Sequence, residues 1–134
     1  MADSVRMFVN GEAMSGGRLN RHLRDAIFRG RCRTAACYRF YSVRDEFPGL
    51  HPVPEGGASV PGELYEVSYA VLRDRLLPAE PPELELGIIE LDDGSGSLAM
   101  RMRAEAVDTP GVVDISDRGG WLSYIKQAGG SAGQ

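Results

Sequence analysis

The chain is poor in the residues that build metal centres and covalent cross-links, with two cysteines, two histidines and one tryptophan in 134 residues. A structural zinc site takes four ligands at close spacing, and His22 and His51 stand apart from both cysteines. No metal and no cofactor are expected. Cys32 and Cys37 lie in what reads as one strand, at an odd spacing that turns them to opposite faces of a sheet; reduced thiols follow. No run approaches the roughly 18 apolar residues of a membrane span. The stretch Met1 to Arg6 is polar, and Val5 to Val9 is too short for the apolar core of a signal peptide. These absences point to a cytoplasmic protein without membrane contact. Serine-nucleophile chemistry lacks its GxSxG elbow, and neither cysteine has a neighbouring base in the sequence.

What is present suits one globular domain. Apolar residues make up 43% of the chain and charged residues 25%, enough to bury a core at a length typical of single domains. The net charge of −4 conceals a split: Arg18 to Arg44 holds eight arginines against Asp25, while Gly62 to Asp93 holds nine acids against Arg73 and Arg75. The two segments are expected to offset each other. The arginines fall across several predicted elements instead of one face, and the chain is acidic overall, so nucleic acid is not expected as a partner.

Periodicity orders the elements. Val5 to Val9 reads as a buried strand. Leu19, Leu23, Ala26 and Ile27 share one helical face, which predicts a helix ending near Gly30. Arg31 to Val43 reads as a long aromatic-rich strand, closed by a Pro/Gly-containing loop from Phe47 to Pro61. A strand over Val60 to Val67 leads to Ser68, which can cap a short helix at Tyr69 to Leu76; Pro78, Pro81 and Pro82 stop it. Leu84 to Ile89 and Leu98 to Val107 form a hairpin around Asp92 to Gly96, with Met100 and Met102 on its buried face. Trp121, Leu122 and Ile125 mark a C-terminal helix, and the Gly/Ser/Ala-rich stretch 127–134 reads as a disordered tail after a domain spanning 1–126. The fold class is α+β: a small mixed or antiparallel sheet, curled or closed into a barrel, with two or three helices.

The junction FVNGEAMSGGRLNRHL, from Phe8 to Leu23, joins a strand through glycines to the predicted helix start. There, unpaired amides and the helix dipole favour an anion. Gly11, Gly16 and Gly17 can take conformations closed to other residues. The spacing matches neither the phosphate loop nor the dinucleotide fingerprint.

SGGRLN, YRFYSV, GELYEV, LGIIELDDG and EAVDTPGVVDISDRGGWLSYI follow one another in an order that resembles the C-terminal domain of allophanate hydrolases over about residues 7 to 126. That domain is related in fold to the γ-glutamylcyclotransferases, and the resemblance implies a pocket beside the glycine loop of a small mixed-sheet barrel. It also implies a glutamate general acid/base after the short helix that follows Gly62-Glu63-Leu64-Tyr65. Glu80 stands at about that distance, with Glu83 and Glu85 within a register error. Such a base needs a pKa raised by partial burial. Two departures stand out: Ala13 occupies a place where the family often has His, and Met102-Arg103 stands where a Cys-Glu pair is common.

The candidate set is therefore Glu80 and Glu83 as catalytic carboxylates, with Asn10, Gly11, Glu12, Ala13, Arg39 and Tyr65 as substrate contacts. The amides of Gly11 to Ala13 would form an anion or oxyanion site. Arginines between Arg18 and Arg39 could grip a carboxylate in bidentate fashion. Two functions fit: an enzyme or binder acting on a small carboxylate-bearing amide, acyl-urea or carbamate, or a non-catalytic assembly partner of an amidase. A homodimer is compatible with either.

Overall fold

The structure, a computed structural model, describes residues 4–132, with side chains described to residue 128. Eight strands form one curled, unclosed sheet: β1 (Ser4–Val9), β2 (Ile27–Arg33), β3 (Tyr38–Val43), β4 (Phe47–Pro52), β5 (Pro61–Ser68), β6 (Leu84–Glu90), β7 (Gly96–Met102) and β8 (Val112–Asp114). Their order is β2-β5-β1-β7-β4-β3-β8, with β6 paired to β7 off that path. Strand β7 runs parallel to β1 through Met7↔Leu98 and to β4 through Leu50↔Arg101, and antiparallel to β6 over its whole length. The expected α+β class and mixed curled sheet are what the chain adopts. Among the described residues no helix is long and apolar enough to cross a membrane.

Alternation within the strands explains the core. Phe8, Phe40, Leu50, Val67, Ile115 and Trp121 pack into one buried cluster, and Val43, Leu84, Met102 and Ala106 form a second. Full burial of one such side chain contributes roughly 1.5–3 kcal/mol. Met102 is buried as expected, while Met100 is partly buried between the two clusters.

Two helical segments flank the sheet. Ser68 caps α1 (Tyr69–Val71), its Oγ accepting from the amide of Val71 at 3.1 Å. The coil continues as a π turn (Leu72–Leu76) and a 3-10 turn (Leu77–Ala79) before extended backbone at Glu80 ends it. The second helix, α2 (Trp121–Ala132), continues through residues 127–132, where a tail was expected.

Three expectations are corrected. The helix predicted over Leu19 to Ile27 is only a 3-10 turn, Asn20–Leu23, after which β2 begins. So short an isolated helix is marginal, and pairing of Ile27 to Arg33 with β5 prevails. The strand expected from Arg31 to Val43 is broken between β2 and β3, so Cys32 and Cys37 do not share a strand; both are free and half-buried. The segment from Phe47, expected as loop, begins as β4 despite Pro48 and Pro52. Strand β4 meets β7 only at Leu50↔Arg101, so those prolines withhold few ladder bonds.

The glycine loop is built by close approach more than by unusual dihedrals. Only Gly16 among its three glycines has a left-handed backbone, φ +87°. A Cβ at Gly11 would lie 2.6 Å from Pro48 Cδ, and one at Gly17 would fall onto the Glu12 carbonyl. Buried Glu63 fastens the loop from below: its Oε1 accepts from the Ser15 amide at 2.8 Å and the Tyr65 hydroxyl at 3.1 Å. Gly17→Ala is expected to destabilise the fold by about 1–3 kcal/mol through overpacking, and Gly16→Ala, with open space around it, by about 1 kcal/mol from its dihedral alone. Urea unfolding midpoints check this order; equal costs would contradict the packing account.

Candidate functional site

A cavity of about 620 Å³ opens at one rim of the sheet. Three chain segments meet there: the glycine loop after β1, the turn between β3 and β4, and the proline-flanked loop before β6. Asn10, Gly11, Glu12 and Ala13 line it together with Glu80 and Glu83. Six of the eight sequence-selected residues are thus neighbours of one hollow.

Arg39 and Tyr65 are not among the lining residues. Arg39 holds Asp114 through two bonds, at 2.9 and 3.2 Å, and donates to the Gly56 carbonyl. The hydroxyl of Tyr65 lies under the loop, bonded to Glu63 and accepting from Asn20 Nδ2 at 3.2 Å. Arginines do reach the cavity, but they are Arg18, Arg21 and Arg44. Arg44 lies outside the segment that sequence reasoning searched, because the β3–β4 hairpin was hidden by the prolines of β4. Its left-handed backbone, φ 54°, shared with Asp45 at 57°, is a strained turn of the kind that clusters at functional sites. The Asp45 carboxylate fixes that turn, accepting from Ser42 Oγ at 2.8 Å and from the Tyr124 hydroxyl at 2.6 Å. Hydrogen bonding from Tyr124 and then Ser42 keeps Asp45 below the ordinary aspartate range.

The helix dipole expected beside the loop is gone, because only a 3-10 turn follows it. The loop folds through bonds such as Met14 N to Gly11 O at 3.1 Å and Leu19 N to Glu12 O at 2.8 Å. None of its backbone bonds uses the amides of Gly11, Glu12 or Ala13 as donors.

The acids around the cavity differ in what holds them. Glu12 accepts from Trp121 Nε1 at 2.7 Å and from Arg18 Nε at 3.3 Å. Burial pushes Glu12 up, yet the bonds from Trp121 and Arg18 outweigh it and leave the carboxyl below its ordinary range. Glu46 and Glu83 both pair with Arg44 at 3.1 Å. The Glu80 carboxylate has no hydrogen bond or ion pair among the described residues, and desolvation alone pushes its pKa up to about 7. A free carboxyl poised between its two protonation states can give or take a proton near neutral pH. Glu85 is not at the cavity; it pairs with Arg103 at 3.0 Å on β6.

The two positions at which the sequence resemblance implied other residues are explained locally. Ala13 is buried in the cavity wall. Met102 is core, and Arg103 staples the glutamate loop: its Nε donates to Pro82 O at 2.9 Å and its amide to Glu83 O at 2.9 Å. Among the described residues no three of His, Cys, Asp or Glu gather into a group that could hold a metal ion.

Comparison with known proteins agrees with this fold. The profile of the allophanate hydrolase C-terminal domain matches residues 5–126. No curated protein matches the chain. The crystal structure of a uropathogenic E. coli-specific protein is similar at 34% identity and a TM-score of 0.84, covering 92% of this chain and 96% of that one. Kluyveromyces lactis allophanate hydrolase is similar at 26% identity and a TM-score of 0.86, over 93% of this chain but only 21% of that one. This chain therefore spans about a fifth of the length of the hydrolase it matches. A γ-glutamyl cyclotransferase, at 13% identity and a TM-score of 0.55, shares the fold. The chain belongs to the allophanate hydrolase C-terminal domain family.

Proposed function

We propose that the rim cavity binds and processes a small amide, acyl-urea or carbamate compound that carries a carboxylate, with Glu80 as general acid/base. The observation that carries this reading is the combination, in one hollow, of an unpartnered Glu80 with the free amides of Gly11 to Ala13 and the arginines Arg18, Arg21 and Arg44. The cations and amides receive the carboxylate. Glu80, between Ala79 and Pro81, is held rigidly enough to move a proton at the substrate's amide or carbamate nitrogen. Glu83, fixed by Arg44, stands as the second carboxylate of the pair. Arg39 and Tyr65 serve this reading from a distance, by bracing β3 and the glycine loop.

Allophanate, named by the relative that this chain resembles, is the first compound to test. Glu80→Gln is expected to lower turnover at least 100-fold, within the range that general acid/base groups supply, and the wild-type pH–rate profile is expected to bend near pH 7. Unchanged turnover in the variant would remove Glu80 from the chemistry.

The same burial has a stability signature. Because the folded pKa lies above the ordinary value of 4.5, folding is favoured most below pH 4.5 and loses stability as pH rises through about 7. Glu80→Gln is expected to abolish that loss, gaining up to about 3 kcal/mol over wild type at pH 8 and little at pH 4. Thermal unfolding at both pH values reads the difference.

A second reading, assembly with an amidase, is favoured by the K. lactis hydrolase, in which the matching region is one part of a longer chain. Ala13 and Met102-Arg103, which replace common family features, support it as well. Under it the chain co-elutes on size exclusion with an amidase of that family, and separate elution counts against the partnership.

A further inference from the structure

Within the same cavity two buried polar atoms have no hydrogen-bond partner, Asn10 Nδ2 and Glu83 Oε1. They sit on different segments, Asn10 at the end of β1 and Glu83 in the loop before β6, and both residues line the hollow. Buried polar groups are nearly always satisfied, so an orphan donor and an orphan acceptor on two residues lining one cavity call for whatever completes them. We propose that Asn10 and Glu83 determine specificity by reading a neutral carbamoyl or ureido end of the ligand, whose NH2 donates to Glu83 and whose carbonyl accepts from Asn10. This rests on the reading that the cavity takes a small carboxylate-bearing compound.

Two features select a neutral group over a cation. The Glu83 charge is already met by Arg44, bonded to its other oxygen at 3.1 Å, so an ammonium or guanidinium would find no uncompensated carboxylate there. Arg21, which has no carboxylate partner among the described residues, lines the same cavity and opposes further positive charge. One donor and one acceptor on residues that line one cavity also match the carbamoyl group, which presents one carbonyl and one NH2. Both orphan atoms are covered at rest, but carboxylate and amide ends turn over a broad range about their last torsion.

Three compounds that share the carboxylate and spacer isolate the contact: N-carbamoylglycine, with a terminal NH2; N-acetylglycine, with CH3 in its place; and guanidinoacetate, with a cation. Calorimetric titration of the full chain at pH 7 is expected to show N-carbamoylglycine binding at least tenfold tighter than either other compound. Glu83→Ala is expected to shrink the preference over N-acetylglycine to below twofold, and Asn10→Ala the preference over guanidinoacetate, which lacks the carbonyl. Equal affinities in wild type, tighter binding of guanidinoacetate, or a preference that survives both substitutions would overturn this assignment and leave the carboxylate site standing. Absence of binding by all three would overturn both. The wild-type comparison decides the matter even where a variant does not fold.

Discussion

Strand β7 is the constraint on which the molecule depends. One of its edges is committed to β6 from Gly96 to Met102, and the other is divided between β1 and β4, both parallel to it. Dividing one edge between two strands forces the sheet to curl, because β1 and β4 must diverge where they share a neighbour. The curl brings the ends of three otherwise distant segments to a single rim. Residues near positions 11, 46 and 81 thereby surround one hollow, and the cavity is a product of strand pairing before it is a product of any side chain.

Electrostatic differences within that hollow then set its carboxylates apart. Four glutamates line it, at positions 12, 46, 80 and 83, and three are occupied: Glu12 by Arg18 and Trp121, Glu46 and Glu83 by Arg44. Pairing stabilises the charged form and makes a poor proton donor at neutral pH. Glu80 is buried without such a partner, so the cost of desolvating its charge is not offset and its titration moves toward neutrality. The same logic explains how the arginine-rich and acid-rich segments coexist. Arg29 with Glu66 and Arg44 with Glu83 join them across the fold.

The departures from the family pattern fall at unequal places. Met102-Arg103 belongs to the framework, one residue filling the second core and the other holding the loop that carries Glu80 and Glu83. Ala13 lies in the cavity wall itself, where a small apolar side chain removes an imidazole's capacity to donate or accept.

Much of the framework was legible in local pattern. The GELYEVS strand, the Ser68 cap, the hairpin around Asp92 to Gly96 and the helix at Trp121 are set by alternation, capping chemistry and turn residues that act over a few positions. The candidate site was legible in part: Asn10 to Ala13 stand beside a break in periodicity, and Glu80 was reached through the family resemblance. Leu19 to Ile27 misled because a helical spacing over nine residues is worth less than one edge of pairing with β5, a partner some thirty-five residues away. Arg44 was hidden because β4 carries two prolines and shows itself as a strand only when β3 lies beside it. Arg39 was selected and Arg44 overlooked for a single reason: composition counts guanidinium groups but not the carboxylate each will meet. The sequence by itself determined which segments are strands with one buried face and where charge accumulates. Tertiary structure decided which carboxylate stays unpaired and which arginines face the cavity, because desolvation and ion pairing depend on distances that only the curl of the sheet creates.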